Sequence, residues 1–271
     1  MYSGTTIQTH SGRILGVHQR IDRIVHRRLA KHIPRDIKFP PIKAILRFEG
    51  DNGPDGIKRK SPSKDEPWHY INPKNHKDRS LIDSVNDHII NLGEALKKGN
   101  QERSAFEAAW LAHAVVDGLT PAHHYPLNDK IEELWGRPYQ ERVTFKDKTF
   151  IKGKNWIDTI SKNWQYWGSG GVFTAHYMFE WGVATSISTH VFGKWVGASG
   201  NDLILLRRKG FETLFYESLN KIYAMDMYSE FGKKGWTHDL ANQTKQVLIP
   251  EIVKAVGLAW YQAIIYAEKK D

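Results

Sequence analysis

The chain contains no cysteine. That excludes disulfide cross-links and thiolate metal sites, so any metal ion must be held by imidazole nitrogen and carboxylate oxygen. No apolar run reaches the roughly 18 residues that a spanning helix needs, and no fixed-period repeat or low-complexity tract interrupts the sequence. The opening stretch MYSGTTIQTHSGRILG lacks the apolar centre of a secretory signal, so export would need processing that the sequence does not display, and localisation stays open. Histidine and basic charge are what the chain has in quantity: 13 histidines, and 39 Lys+Arg against 30 Asp+Glu, for a formal net charge of +9. With 40% hydrophobic residues in 271 positions, it can bury a large core, and nothing in the composition suggests disorder. The surplus of positive charge suits a polyanion, a phosphate-bearing substrate or an anionic membrane surface. Yet the basic residues fall in short groups such as Arg27-Arg28 and Lys58-Arg59-Lys60, and solvated helix faces account for most of them.

Apolar spacing predicts helices over Arg13 to Lys31, Ile42 to Phe48, Ser80 to Lys98, Gln101 to Gly118, Phe173 to Trp195, Asn201 to Met227 and Trp236 to Glu268. The last must bend or break near Pro250, where a backbone donor is missing. Gly50 to Ser80 reads as a long polar loop, in which Gly53-Pro54-Asp55-Gly56 is a turn that presents a carboxylate without helical constraint. The helical pattern breaks again from Tyr125 to Gly171, where Val143 to Ile151 alternates as a short hairpin does. The expected fold class is all-α: one mostly helical domain over residues 1–271, with little strand.

The chemistry concentrates in AHAVVDGLTPAHHYPL, residues 112–127. His113 and Asp117 are four apart and share a helix face. Pro121 ends the helix and lets His123 turn back toward them. Taken alone, this motif is explained at least as well by a buried histidine hydrogen-bonded to an aspartate. His176 and Glu180 repeat the four-residue spacing, His69 sits in the aromatic segment Trp68-His69-Tyr70, and His18 lies on or beside the apolar stripe of the first helix, where by itself it reads as a core histidine. His124 reads as a surface histidine, and His26, His32, His76, His88 and His190 as ordinary surface or core residues.

In order, these residues resemble the zinc-dependent phospholipase C and S1/P1 nuclease superfamily. His113-Ala-Val-Val-Asp117-Gly-Leu-Thr-Pro121-Ala-His123 is similar to its His-x3-Asp-x3-Pro-x-His core motif, and His176-Tyr-Met-Phe-Glu180 to its later His-x3-Glu. Trp68-His69-Tyr70 is similar to Trp-His-Phe of the nuclease branch, His69-Tyr-Ile-Asn-Pro73 to His-Phe-Tyr-Asp-Pro of the phospholipase branch, and Val17-His18-Gln19 to the first-helix histidine; Asp55 precedes His69 by about the family interval.

The resemblance implies an all-helical fold with up to three Zn2+ ions. Asp55, His69, His113 and Asp117 would hold one, Asp117 would bridge to a second that His18 also binds, and His123, His176 and Glu180 would hold the third. Paired zinc ions can lower the pKa of a bridging water and neutralise a phosphodiester during in-line displacement, with Asp55 to orient or deprotonate that water. The implied function is zinc-dependent phosphodiester hydrolysis, closest to a phospholipase C, with peripheral contact to an anionic membrane surface and no obligate protein partner. A single-strand nuclease and a non-catalytic zinc-stabilised binding module are the alternatives. The family is mostly secreted.

Two departures from the family stand out. Its chains begin with a tryptophan whose amine and carbonyl complete the site of the first-helix histidine, whereas this chain begins Met-Tyr-Ser-Gly and has no tryptophan before Trp68. His10, eight residues before His18, is the candidate substitute; the alternative is a solvated tail residue. The step from His123 to His176 is also long, so residues from about 125 to 171 read as an insertion. It is either a substrate-gating element bearing Trp135, Trp156, Trp164 and Trp167 or a structural excursion with its own small core. Two other metal folds fit less well. For an HD-type phosphohydrolase, His238-Asp239 is followed only by the terminal Asp271; for a ferritin-like bundle, the proline in Glu66-Pro-Trp-His69 spoils the helix that Glu-x-x-His requires.

Overall fold

Gly99 and Asn100 show how closely local chemistry sets the architecture. Gly99 takes a positive φ of 67° to close one helix, and the Asn100 side chain accepts the Arg103 backbone N–H at 3.0 Å to open the next. The computed structural model describes residues 1–3, 16–66, 69–75, 77–125 and 127–268, and no strand occurs among them. The first half of the chain holds α1 (Val17–Leu29), α2 (Ile42–Ile45), α3 (Pro54–Lys60), α4 (Ser80–Lys97), α5 (Gln101–Gly118) and α6 (Leu127–Trp135). The second holds α7 (Phe145–Thr149), α8 (Trp156–Trp167), α9 (Val172–Ile187), α10 (Gly200–Lys209), α11 (Phe211–Tyr223), α12 (Met227–Lys234), α13 (His238–Gln243) and α14 (Ile249–Glu268).

Helices α4, α5 and α14 pack together at the centre, with α1 and α11 against α14. Helix α5 is buried along most of its length, as expected of a helix that is apolar nearly all round. Its alanines at 105, 108, 109 and 112 let neighbours approach closely, and the fully buried Trp260 of α14 donates its indole N–H to the Ala108 carbonyl at 2.9 Å. The C-terminal end of this core helix carries His113 and Asp117, so both are placed by packing rather than by a surface loop. Beyond it, the Thr120 N–H donates to the Asp117 carbonyl at 2.9 Å and the His123 N–H to the Thr120 carbonyl at 2.8 Å. The chain thereby turns through Pro121–His124 and brings His123 back toward Asp117.

Gly118 allows this crowding. A Cβ there would run into Leu81 Cδ2 and lie 3.1 Å from Phe215 Cζ. Gly118→Ala is therefore expected to destabilise the protein by about 1–3 kcal/mol, read as a lower urea midpoint; an unchanged midpoint would show that the core relaxes around a methyl group.

Several sequence expectations change in detail. Asp55 lies in the first turn of α3, with Pro54 at the first helical position, where its missing N–H costs nothing; it is held by a helix, not an unconstrained turn. The hairpin expected over Val143 to Ile151 is absent: Thr144 and Asp147 form a reciprocal capping box that nucleates α7. The helix expected over Asn201 to Met227 divides at Gly210, whose φ is 78°, and α9 stops at Ile187, short of Trp195. Near Pro250 the final helix neither stops nor breaks. One wide turn, in which the Ile249 N–H reaches the Thr244 carbonyl five residues back, accommodates the proline.

Residues of the 125–171 segment form a small satellite core in which Ile131, Ile151 and Tyr166 pack with Tyr70. Trp135 lies against this cluster, while Trp156, Trp164 and Trp167 are exposed.

Candidate metal centre

Four helices, the turn after α5 and Met1 converge on the surroundings of Asp117. On α5, His113 Nε2 lies 3.2 Å from Asp117 Oδ2, and Asp55 Oδ1 on α3 is 3.6 Å from the same nitrogen. Helix α1 brings His18 Nε2 to 3.3 Å from Asp117 Oδ1. Glu180 of α9 faces both His176 Nε2, at 3.1 Å, and His123 Nε2, at 2.9 Å. Donor atoms of His18, Asp55 and His113 all lie within 4.8 Å of one another, as do those of His123, His176 and Glu180. Asp117 stands between the two groups, with Oδ2 3.8 Å from His123 Nδ1.

These donors are of the kind that can hold a metal ion, zinc among them. Bonds of about 2.0–2.2 Å in a tetrahedral shell separate ligand atoms by about 3.3–3.6 Å, close to the spacings around Asp117. His113 Nε2 makes no hydrogen bond of good geometry despite the two adjacent carboxylates at 3.2 and 3.6 Å. The rings are also held from behind. His123 donates Nδ1–H to the His69 carbonyl at 2.9 Å, which leaves Nε2 as the free lone pair. His113 Nδ1 lies 3.4 Å from Glu49 Oε2, the carboxylate support that commonly fixes a metal-binding imidazole.

The group beside His18 is Met1. Its ammonium contacts Asp117 Oδ1 and lies 3.3 Å from Glu180 Oε1, and its carbonyl accepts from His18 Nε2 at 2.8 Å. Residues 1–3 are buried. The Tyr2 carbonyl accepts the Val17 N–H at 2.8 Å, at the first turn of α1, and the Tyr2 ring packs edge-on against Trp181 of α9 at 5.5 Å. His10 lies outside the described residues.

His69 comes to the centre but joins neither three-donor group. Its Nε2 accepts from Lys58 Nζ at 2.6 Å. Lys58 follows Asp55 by three residues on α3, so the same helix face supplies both, and the ammonium also lies 5.6 Å from the centre of the Tyr70 ring. A metal ion at His69 would need the lone pair that this ammonium occupies. Metal and Lys58 are therefore alternatives there.

Electrostatics follow from this mixture of buried charges. Burial disfavours the Met1 ammonium, but Asp117, Glu180 and Asp55 outweigh it and hold its pKa up to about 10. Burial likewise opposes ionisation of Asp117 and Glu180, yet the Met1 ammonium and the surrounding histidines hold both carboxylates well below their usual range. His69 is pushed well down by burial and then by Lys58, so it stays a neutral acceptor. Asp55 is the donor that meets solvent, with 28% of its side chain exposed against 2% for Asp117.

Sequence reasoning missed Glu49 and Asp22. Both are buried; Asp22 makes no hydrogen bond, and burial and the neighbouring Glu49 push its pKa well up. His18-x3-Asp22 repeats the spacing of the two recognised pairs, a signal that was available. Glu49 follows Phe48 in a loop, with no local pattern to mark it. His124, expected at the surface, is instead buried: its Nε2 donates to the Gly118 carbonyl at 3.0 Å, and burial and then His123 lower its pKa to about 3. If His113 ligates a metal ion, replacing Glu49 by alanine is expected to weaken the binding of added zinc about 10- to 100-fold, measured by competition with a chromogenic chelator. Unchanged affinity would mean that packing alone orients His113.

Comparison with protein-family models, curated proteins and solved structures returns no match for this chain.

Proposed function

We propose that this protein is a metal-dependent hydrolase, and that its substrate bond is a phosphodiester. Within that class, the reading best supported is a phospholipase C-like enzyme. The observation that carries the proposal is the pair of three-donor groups joined through Asp117. His18, Asp55, His113, Asp117 and the Met1 amine and carbonyl would hold metal on one side, His123, His176 and Glu180 on the other, and His69 would join the first when Lys58 turns away. Zinc bound there would supply an acidified water and positive charge for the phosphoryl oxygens.

The chain's own residues divide the remaining work. Asp55, partly open to solvent, is placed to orient a water and accept its proton. Lys58 brings a fixed positive charge to the same side for the phosphate. Asp117, buried and ionised, keeps the histidines aligned. Tyr70 is 8% exposed and stacked on His123 at 5.2 Å, so it is not presented for stacking on a nucleobase. This favours lipid over single-stranded nucleic acid.

The test combines metal analysis of the purified protein with release of the phosphorylated headgroup from phospholipid, alongside digestion of a single-stranded oligonucleotide. Bound zinc with headgroup release that stops on chelation and returns with zinc is expected. Absence of zinc, or a loaded protein that cleaves neither substrate, would overturn the proposal.

A further inference from the structure

Helix α8 wears its apolar stripe on the outside. At 100° per residue, Trp156, Ile157, Ile160, Trp164 and Trp167 fall within an arc of about 100°, and all five face solvent, with Trp156 72% and Trp164 70% exposed. Those two tryptophans alone leave on the order of 300 Å² uncovered, enough to mark an interaction site. Specific polar contacts hold the helix in this orientation. The Asn163 side chain accepts from the Ile151 N–H at 3.1 Å and donates to the Ile151 carbonyl at 2.7 Å, and the Tyr166 hydroxyl donates to the Lys148 carbonyl at 3.0 Å. The polar and tyrosine face is thus turned to protein and the tryptophan face to solvent. Trp167 extends the stripe toward exposed Phe150 by donating its indole N–H to the Thr149 carbonyl at 2.7 Å.

The charge around the stripe points to its occupant. Residues 143–167 contain five lysines against two aspartates; Lys148 is turned inward onto Glu66 and Lys162 faces Asp158, which leaves the other three to the surface. Both aspartates are engaged locally: Asp147 accepts from the Thr144 N–H at 2.8 Å, and Asp158 from the Lys154 N–H at 2.7 Å. Lys146, Lys152 and Lys154 are exposed. An aromatic and aliphatic helix face with lysines around it is the composition of a helix that lies in a membrane interface. A surface for single-stranded nucleic acid uses aromatic rings spaced along a basic groove and has little use for Ile157 and Ile160.

We propose that this α7–α8 face docks on an anionic phospholipid surface. Helix α8 packs on α9, which carries His176 and Glu180, so docking would bring a lipid surface to the element that builds half of the metal centre. Only the hydrolysis of a docked lipid rests on the phospholipase reading; the docking surface itself stands on α8.

The full chain is sedimented with vesicles of equal parts phosphatidylglycerol and phosphatidylcholine, and with phosphatidylcholine alone, in the presence and absence of a chelator. Binding to the anionic vesicles, with a blue-shifted tryptophan emission, is expected whether or not metal is bound. Trp156→Ala/Trp164→Ala, a surface double variant whose fold is checked by circular dichroism, is expected to bind at least tenfold more weakly, and so is Lys146→Glu/Lys152→Glu/Lys154→Glu. The proposal is overturned if the chain stays in the supernatant, if the tryptophan variant binds equally well, or if the same variant instead dissolves a dimer or abolishes binding to a single-stranded oligonucleotide. Vesicle binding without headgroup release would sink the proposed activity and leave the docking surface standing; headgroup release without vesicle binding would do the reverse.

Discussion

Asp117→Asn is expected, on the proposed reading of the site, to lower zinc loading and phosphodiester hydrolysis together, and on any reading to destabilise the metal-free protein. The carboxylate faces the Met1 ammonium, His18 and His113, and its burial removes the solvent that could compensate for its loss. Asparagine keeps the size but offers one neutral acceptor in place of two charged oxygens. Among the described residues, Glu180 would then be the carboxylate left within contact distance of the Met1 ammonium. Breaking a buried pair in this way costs about 3–5 kcal/mol, which should appear as a lower melting temperature even in chelator. Activity should fall by on the order of a hundredfold or more, since charge stabilisation by metal amounts to several kcal/mol. Metal content, melting temperature and turnover are read on the same preparation. A variant with normal metal content would remove Asp117 from the centre of the site.

Adding a single glycine ahead of Met1 is expected to have the next largest effect. The amine would move outward by one residue, about 3.5 Å, and an amide N–H with neither charge nor a usable lone pair would face Asp117. If both groups load zinc as proposed, the zinc content should fall by one ion per chain, while the His123, His176 and Glu180 group, whose donors are all side chains, keeps its own. Glycine added after Asp271 serves as the control. Unchanged stoichiometry would show that Met1 only fills space beside His18, and a loss of all metal would show that the two groups load as a unit.

The all-α class and most helix positions were legible because apolar spacing repeats so regularly, and the converging side chains were legible because His113/Asp117 and His176/Glu180 keep the four-residue interval of a helix face. Met1 was passed over because the resemblance calls for a tryptophan there, although the groups in question, a backbone amine and carbonyl, carry no side-chain signature and methionine presents them equally well. Lys58 was hidden for a related reason: once Gly53 to Gly56 was read as a turn, nothing placed Lys58 on the same face as Asp55. The outward stripe of α8 escaped notice because the neighbouring alternation from Val143 to Ile151 suggested a hairpin, and periodicity alone cannot tell which side of a helix meets protein.

The seating of Met1 also bears on the order in which the molecule assembles. Its amine contacts a residue 116 positions later in the chain and another on α9, while Tyr2 packs against the tyrosine and tryptophan of that same helix. Residues 1–3 therefore have no complete binding place until α9 has docked. Closure across so much chain is slow relative to local helix formation. A folding intermediate in which α9 has not docked carries His18, Asp55, His113 and Asp117 as an incomplete set of donors, with Met1 lacking its Glu180 contact. Completion of the site is in this sense a late folding event, set by long-range closure and not by local helix formation.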